Sequence, residues 1–146
     1  MKRVTVLILL LLSLTACSNN QAFELLSDGQ CSVAQKSEIT SHVSSQLQAF
    51  AKENWEEAYS YSSQSFRRTF SISDFTSIIT NDYSVLVYNQ GYSFGLCSIS
   101  NREIFQAVEI ELPNSSASII YQLTVGKLKL GIVAARFSSP GDSINT

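Results

Sequence analysis

The hydrophobic pattern of this chain predicts an α+β fold, with helices packed on one face of a curved antiparallel sheet of about four strands. Three observations carry that prediction. Apolar residues recur at helical spacing through the first half, from Ile39 to Ile79. From Tyr83 onward they recur at every second residue. The residues between the alternating runs are turn formers that suit hairpins rather than long crossovers.

The chain opens with Lys2 and Arg3, an apolar run over residues 4–12, and the small-residue tetrapeptide Leu14-Thr15-Ala16-Cys17. A positive start, a short apolar core and small residues before a cut site make a secretory signal. Residues 4–16 are too few to span a bilayer, which takes roughly 20. The tetrapeptide resembles the lipobox of bacterial lipoproteins. That resemblance implies that Cys17 carries diacylglycerol on its sulfur, that the leader is cut before it, and that the new amine takes a fatty acid such as palmitate. Two or three acyl chains hold a protein firmly where one holds it reversibly, at about 0.8 kcal/mol per buried methylene. In the resembling family the residue after the lipidated cysteine biases sorting. Ser18 is not the aspartate of inner-membrane retention, so the expected place is the periplasmic side of the outer membrane in a diderm host.

The expected organisation is a signal peptide over 1–16, a lipidated N-terminus and tether over 17–36, an α+β domain over 37–138 and a fraying tail over 139–146. Loss of Lys2 and Arg3 leaves the remaining chain more acidic than the formal net charge of -2. With no basic run and no RNA-type aromatic motif, nucleic acid is excluded as the expected partner. Cys31 and Cys97 are the remaining thiols. An oxidising envelope lets them pair, and two buried free thiols satisfy the sequence equally.

Ser37 as N-cap and Glu38 in the first turn predict a helix running to about Glu53, with Ile39, Val43, Leu47, Phe50 and Ala51 as its buried stripe. His42 sits beside that stripe, a solvent-facing or core-edge position. Trp55, Ala58 and Tyr59 open a second short helix, and residues 66–70 form a further turn. Ser73 is the expected cap of a third helix holding Phe75, Ile78 and Ile79, ended by Asn81-Asp82.

In the second half, Tyr92, Phe94 and Leu96 alternate with Ser93, Gly95 and Cys97. Ile104, Val108, Ile110 and Leu112 share one face, with Glu103, Glu109 and Glu111 on the other. Ile119, Tyr121, Leu123 and Val125 form a third set, and Leu128, Leu130 and Ile132 a fourth. Such alternation belongs to antiparallel strands with one packed and one wet face. Ser100-Asn101, the loop at 113–116 and Gly126 supply the turns.

The runs Gln46-Leu47-Gln48-Ala49-Phe50, Trp55-Glu56-Glu57-Ala58-Tyr59 and Phe66-Arg67-Arg68-Thr69-Phe70, with Phe75 and the stretch 83–88, resemble an uncharacterised bacterial family of the nuclear-transport-factor-2-like superfamily. The resemblance covers residues 39–137. It implies a cone in which helices are wrapped by a bent sheet, with a mouth that holds a small molecule, an enzyme site or only packed side chains.

Arg67, beside Tyr59, Tyr83 and Tyr88, is the candidate ligand site: a planar guanidinium grips carboxylate or phosphate, and each tyrosine offers an apolar body with a polar tip. An Arg67 paired with Glu56 or Glu57 is the competing reading. Alternating Glu103, Glu109 and Glu111 mark a solvated strand face rather than a metal site, and no cofactor motif is present. The expected function is a non-enzymatic envelope module that binds a protein partner or small ligand. The alternative is an isomerase- or dehydratase-like enzyme with Tyr59, Asp74 or Tyr83 at the cavity.

Overall fold

The computed structural model of the protein describes residues 20–24, 26–127 and 129–138. The expected leader, the tetrapeptide ending in Cys17 and the expected tail at 139–146 lie outside the described residues. A 3-10 turn (Asn20–Phe23) and a two-residue strand, β1 (Gly29–Gln30), precede five helices: α1 (Val33–Ala51), α2 (Trp55–Ser60), α3 (Gln64–Thr69), α4 (Ile72–Asp82) and α5 (Ser84–Val87). Four long strands follow: β2 (Gly91–Ser100), β3 (Glu103–Leu112), β4 (Ser115–Gly126) and β5 (Lys129–Phe137). The sheet has the order β1-β2-β3-β4-β5 and is antiparallel throughout. It therefore has five strands where four were expected. The extra one comes from the expected tether, where two residues are too few to show any alternation.

Local capping sets the helix starts, and it differs from expectation in three places. The N-cap of α1 is Ser32, not Ser37. Its hydroxyl accepts the Gln35 N–H at 3.2 Å while Gln35 Oε1 accepts the Ser32 N–H at 2.8 Å, a reciprocal box worth about 1 kcal/mol. α4 is capped in the same way by Ser71 with Asp74, rather than by Ser73. Asn54 opens α2 instead of closing α1, accepting the Glu57 N–H at 3.3 Å.

Strand structure begins at Gly91 and not at Tyr83. In the intervening Ser84–Val87 helix the Tyr88 N–H donates to Ser84 O at 3.1 Å and Leu86 is buried, so tertiary packing overrides the β preference of the two valines.

All five helices lie against one face of the sheet. Ile39, Val43, Leu47 and Phe50 of α1 are buried with Phe75 and Ile79 of α4 and Leu86 of α5. They meet Ile104, Val108 and Ile110 of β3 and Ile119, Tyr121 and Leu123 of β4. Each such side chain removed from water contributes roughly 1.5–3 kcal/mol against the conformational entropy of folding.

One strand breaks the expected phase. The pairing of β2 with β3 shifts between Phe94 and Cys97, where Gly95 and Leu96 form a bulge. Tyr92 and Phe94 pack on the core side, but after the bulge it is Cys97 and Ile99 that point inward, while Leu96 is exposed. An extra residue flips the alternation for everything beyond it. The inward turn puts Cys97 opposite Cys31, and the two are joined by a disulfide with a Cα–Cα distance of 5.4 Å. Beside it the Cys31 N–H donates to Cys97 O at 3.1 Å.

The free edge of β5 is covered at one point. The Ser63 N–H donates to Ile132 O at 2.7 Å, and the Ile132 N–H to Tyr61 O at 3.0 Å. Such close approach requires Gly131, since a Cβ there would lie 2.5 Å from Ser63 Cα. A covered edge is shielded from pairing with other chains.

The disulfide closes a loop with a sequence separation of 66 residues, which restricts the unfolded chain. A Cys31→Ala/Cys97→Ala double variant is expected to lose roughly 2–4 kcal/mol of unfolding free energy. Urea titration measures this. Identical midpoints for the wild-type protein with and without reductant would show that the bridge contributes nothing.

Candidate functional site

An apolar opening with converging walls lies between the helices and the β4–β5 half of the sheet. It is a cavity of about 270 Å³ lined by Phe50 of α1, Phe66 of α3, Phe70, Phe75, Ile78 and Ile79 of α4, Tyr83, Leu86, Tyr121 of β4 and residues 132–135 of β5. The aromatic wall is built by mutual packing. Phe75 stacks on Phe50 with centroids 5.7 Å apart and meets Phe66 edge-on at 6.0 Å. Such pairs add about 0.5–1.5 kcal/mol beyond the area they bury.

Polar atoms at this wall are few, and nearly all are committed. Tyr83 Oη donates to Ala135 O at 2.8 Å. Gln46 Nε2 donates to Ala58 O at 3.1 Å. The exceptions are the Ser62 hydroxyl, which makes no hydrogen bond among the described residues, and Tyr121, whose hydroxyl is fully buried and has no hydrogen-bond partner among the described residues. Its partner across the β3–β4 ladder is Gln106, also fully buried. Gln106 Nε2 donates into the β2 bulge, to Gly95 O at 3.2 Å and Leu96 O at 3.3 Å, and to Ala107 O at 2.8 Å. Its Oε1 is left without a partner. Two orphaned oxygens therefore sit on adjacent inward positions, each costing about 1–3 kcal/mol if nothing meets it. Burial pushes the Tyr121 hydroxyl far above the usual tyrosine range, so it stays protonated and neutral.

The sequence-based candidates do not assemble into one site. Arg67 donates through one guanidinium nitrogen to Ser60 O at 2.7 Å and also to Ser62 O. It thus closes the C-terminal end of α2, and among the described residues no hydrogen bond joins it to Glu56 or Glu57. Tyr59 Oη donates to Phe70 O at 2.6 Å, fastening α2 to the end of α3. Tyr88 is 69 % exposed. Of the four candidates, only Tyr83 lines the cavity.

Asp74 is exposed on the α4 cap, where hydrogen bonds from the Ser71 hydroxyl and N–H hold its carboxyl below the usual range. Glu109 accepts from the Ser116 and Ser118 hydroxyls, which lower its pKa, and Glu103 and Glu111 are exposed. Among the described residues no group of His, Cys, Asp and Glu side chains is placed to hold a metal ion.

As site residues Tyr121 and Gln106 go unseen in the sequence: the alternation places Tyr121 only in an inward strand set and gives Gln106 no role. A signal was present. In the inward set Ile104, Val108, Ile110 the intervening slot is a glutamine, and Tyr121 is the one polar tip between Ile119 and Leu123.

His42 sits at the core edge. Its Nε2 lies 2.9 Å from Tyr61 O, a carbonyl that can only accept, and its ring meets Tyr61 edge-on. Desolvation by burial lowers its pKa from 6.5 more strongly than that hydrogen bond raises it. The unfolded chain therefore binds a proton more readily than the native protein. The stability due to neutral His42 is full above pH 6.5 and is lost as pH falls through and below that value. Acidification from pH 7 to about 5 is expected to lower the melting temperature. His42→Gln, which keeps a donor for Tyr61 O, should flatten that window. An unchanged pH slope in the variant would remove His42 as its cause.

Comparison with known proteins places one family on this chain. A family model described as a domain of unknown function, DUF4864, matches residues 32–130. No curated protein and no solved structure matches. The matched span begins at the N-cap of α1 and runs into β5, so it contains every residue that lines the cavity up to that strand.

Proposed function

Given that the chain belongs to the DUF4864 family, we propose from its cavity that it is a lipid-anchored envelope lipoprotein whose domain binds a small apolar molecule without transforming it. The body is read as a nuclear-transport-factor-2-like cone. Support for that reading comes from the five-stranded antiparallel sheet, bulged in β2 and between β4 and β5, with all helices on one face.

The observation that carries the binding proposal is the wall of the cavity. Among the described residues its ionisable members are Tyr83 and Tyr121 alone, one hydrogen-bonded to backbone and the other held neutral by burial. A general acid or base works best with a pKa near ambient pH; burial holds the Tyr121 hydroxyl well above that range, and Tyr83 Oη is spent on Ala135 O. What the wall does supply is aromatic and aliphatic surface, the Ser62 hydroxyl and the unpartnered, fully buried Tyr121 hydroxyl. The ligand it fits is apolar, with a single neutral hydrogen-bonding group such as a carbonyl or hydroxyl for Tyr121. At about 270 Å³ the cavity lies just below the roughly 300–1,000 Å³ of ordinary small-molecule sites, so the ligand is small.

The anchor proposal rests on the sequence: charge, leader length and Leu14-Thr15-Ala16-Cys17 coincide. Among the described residues no helix is long and apolar enough to cross a membrane. The proposed place is the outer surface of the bilayer, on the periplasmic side of the outer membrane where the host has two membranes.

Native mass spectrometry of the protein extracted from its own membrane tests the cavity. A bound apolar molecule is expected. Tyr121→Phe should weaken its retention about 5- to 10-fold, the worth of one buried hydrogen bond, without lowering the melting temperature, because an orphaned hydroxyl has been removed. A wild-type spectrum free of ligand, or equal retention by the variant, contradicts the proposal.

For the anchor, Cys17→Ser is expected to abolish fatty-acid labelling and to accumulate precursor. Labelling that persists in the variant would refute lipidation at this cysteine.

A further inference from the structure

We propose that the end of the sheet carrying the β2–β3 and β4–β5 turns is the surface this domain lays on an anionic bilayer, with Arg102, Lys127 and Lys129 against the headgroups. The proposal rests on lipidation of Cys17. It adds an orientation that the anchor alone does not give.

The folded body begins very close to the anchor. Gln35 Nε2 donates to Ala22 O at 3.0 Å and Phe23 is buried in the core, so the 3-10 turn starting at Asn20 is part of the domain. Three residue steps separate Cys17 from Asn20. A chain spans at most about 3.3–3.6 Å per residue, so the lipidated cysteine lies within about 10 Å of the body. That is comparable with the screening length of about 8 Å at physiological ionic strength. Charges at the nearest surface therefore decide which way the domain faces.

The chain then leads to one end of the sheet. The Asn101 N–H, in the β2–β3 turn, donates to Asp28 Oδ1 at 3.0 Å, and Gly29 pairs with Ile99. The β4–β5 turn lies at the same end, because Ile104 pairs with Leu123 and Gly126 with Lys129. The two turns are two strand spacings apart, roughly 10 Å.

Charge is distributed unevenly along the strands. Arg102, Lys127 and Lys129 are exposed at this end. The acids placed at it are Asp28, which accepts from the turn, and Glu103 at the start of β3, so the excess of positive charge sits on the β4–β5 tip. The β4–β5 tip itself is free of acids, since none occurs between Glu111 and Asp142. Toward the other end of β3 stand Glu109 and Glu111. An anionic surface attracts the Lys127–Lys129 tip and repels the Glu109–Glu111 end, each nearby basic residue changing the preference by about fivefold.

The test uses the acylated full-length mature protein reconstituted in vesicles of phosphatidylcholine alone or with phosphatidylglycerol. Hydrogen exchange is read at peptides covering residues 100–104 and 125–130. Exchange at both turns is expected to slow on the anionic vesicles only, to recover at high salt, and to lose this protection in a K127E/K129E variant. K52E/R68E, an equal change of net charge elsewhere, should keep it. The intact mass is read first. A protein without acyl chains overturns the anchor and this orientation together. An acylated protein whose turns exchange alike on both vesicle types, or are protected equally in K127E/K129E, overturns the orientation alone.

Discussion

The fold depends on one burial event: the stripe Ile39, Val43, Leu47 and Phe50 of α1 laid across the inward residues of β3 and β4. Neither partner is stable without the other. An isolated helix of this length is marginal in water, and a sheet with one apolar face must cover it. Once α1 is seated, the shorter helices have a surface to pack on. α2 and α3, six residues each, are fixed by caps and backbone contacts more than by propensity. Asn54, Ser63, Arg67 and Tyr59 all spend their polar groups on closing helix ends or tying one helix to the next. Those commitments occupy polar groups of Arg67 and Tyr59, two of the residues that looked most like a binding site. A guanidinium already donating to two carbonyls has less to offer a ligand.

The β2 bulge is the second constraint, and it links three features that the sequence keeps apart. It reverses the side-chain phase so that Cys97 faces inward, which is what lets the N-terminal segment be fastened at Cys31. It frees the carbonyls of Gly95 and Leu96, which have lost regular pairing with β3, and Gln106 is the donor that meets them. A glutamine drawn into a core for this purpose brings a second polar atom with it, and Oε1 is the cost. The inward polar position on β3 thus follows from the irregularity on β2, and the neighbouring Tyr121 shares the same buried polar strip.

The parts of this structure that were legible in the sequence are those governed by periodicity. The α1 stripe apart from Ala51, which is exposed at the last position of the helix, the four long strands, their hairpin order and the wet face of Glu103, Glu109 and Glu111 follow from spacing alone, because burial of one face imposes the period. What was not legible depends on single local bonds or on phase. Ser32 outcompetes Ser37 as a cap because Gln35 reciprocates at the third helical position. The bulge leaves no compositional mark beyond Gly95, so Leu96 and Cys97 exchanged faces. A strand as short as β1 has no pattern at all. Of the candidate site, Tyr83 was identified and Tyr121 was not. An inward tyrosine between two aliphatics usually finds a partner, and only coordinates show that this one does not.

Buried tyrosine and buried histidine separate two kinds of pH response in this molecule. Burial holds the Tyr121 hydroxyl well above the usual tyrosine range, so a ligand of the kind proposed would meet a neutral group there at neutral pH. Tyr83 is held by Ala135 O, and no carboxylate, imidazole or cation lines the cavity among the described residues. His42 lies outside the lining but bonds Tyr61 O, the same carbonyl that receives the Ile132 N–H on β5. Protonating His42 forces a charge into a partly buried site at the junction between α1, the end of α2 and the strand that forms one wall of the cavity. Any pH dependence of ligand retention therefore acts through the integrity of that junction and not through the chemistry of the cavity. For a ligand of the kind proposed, the consequence is directional: retention is expected to fall on the acid side together with stability.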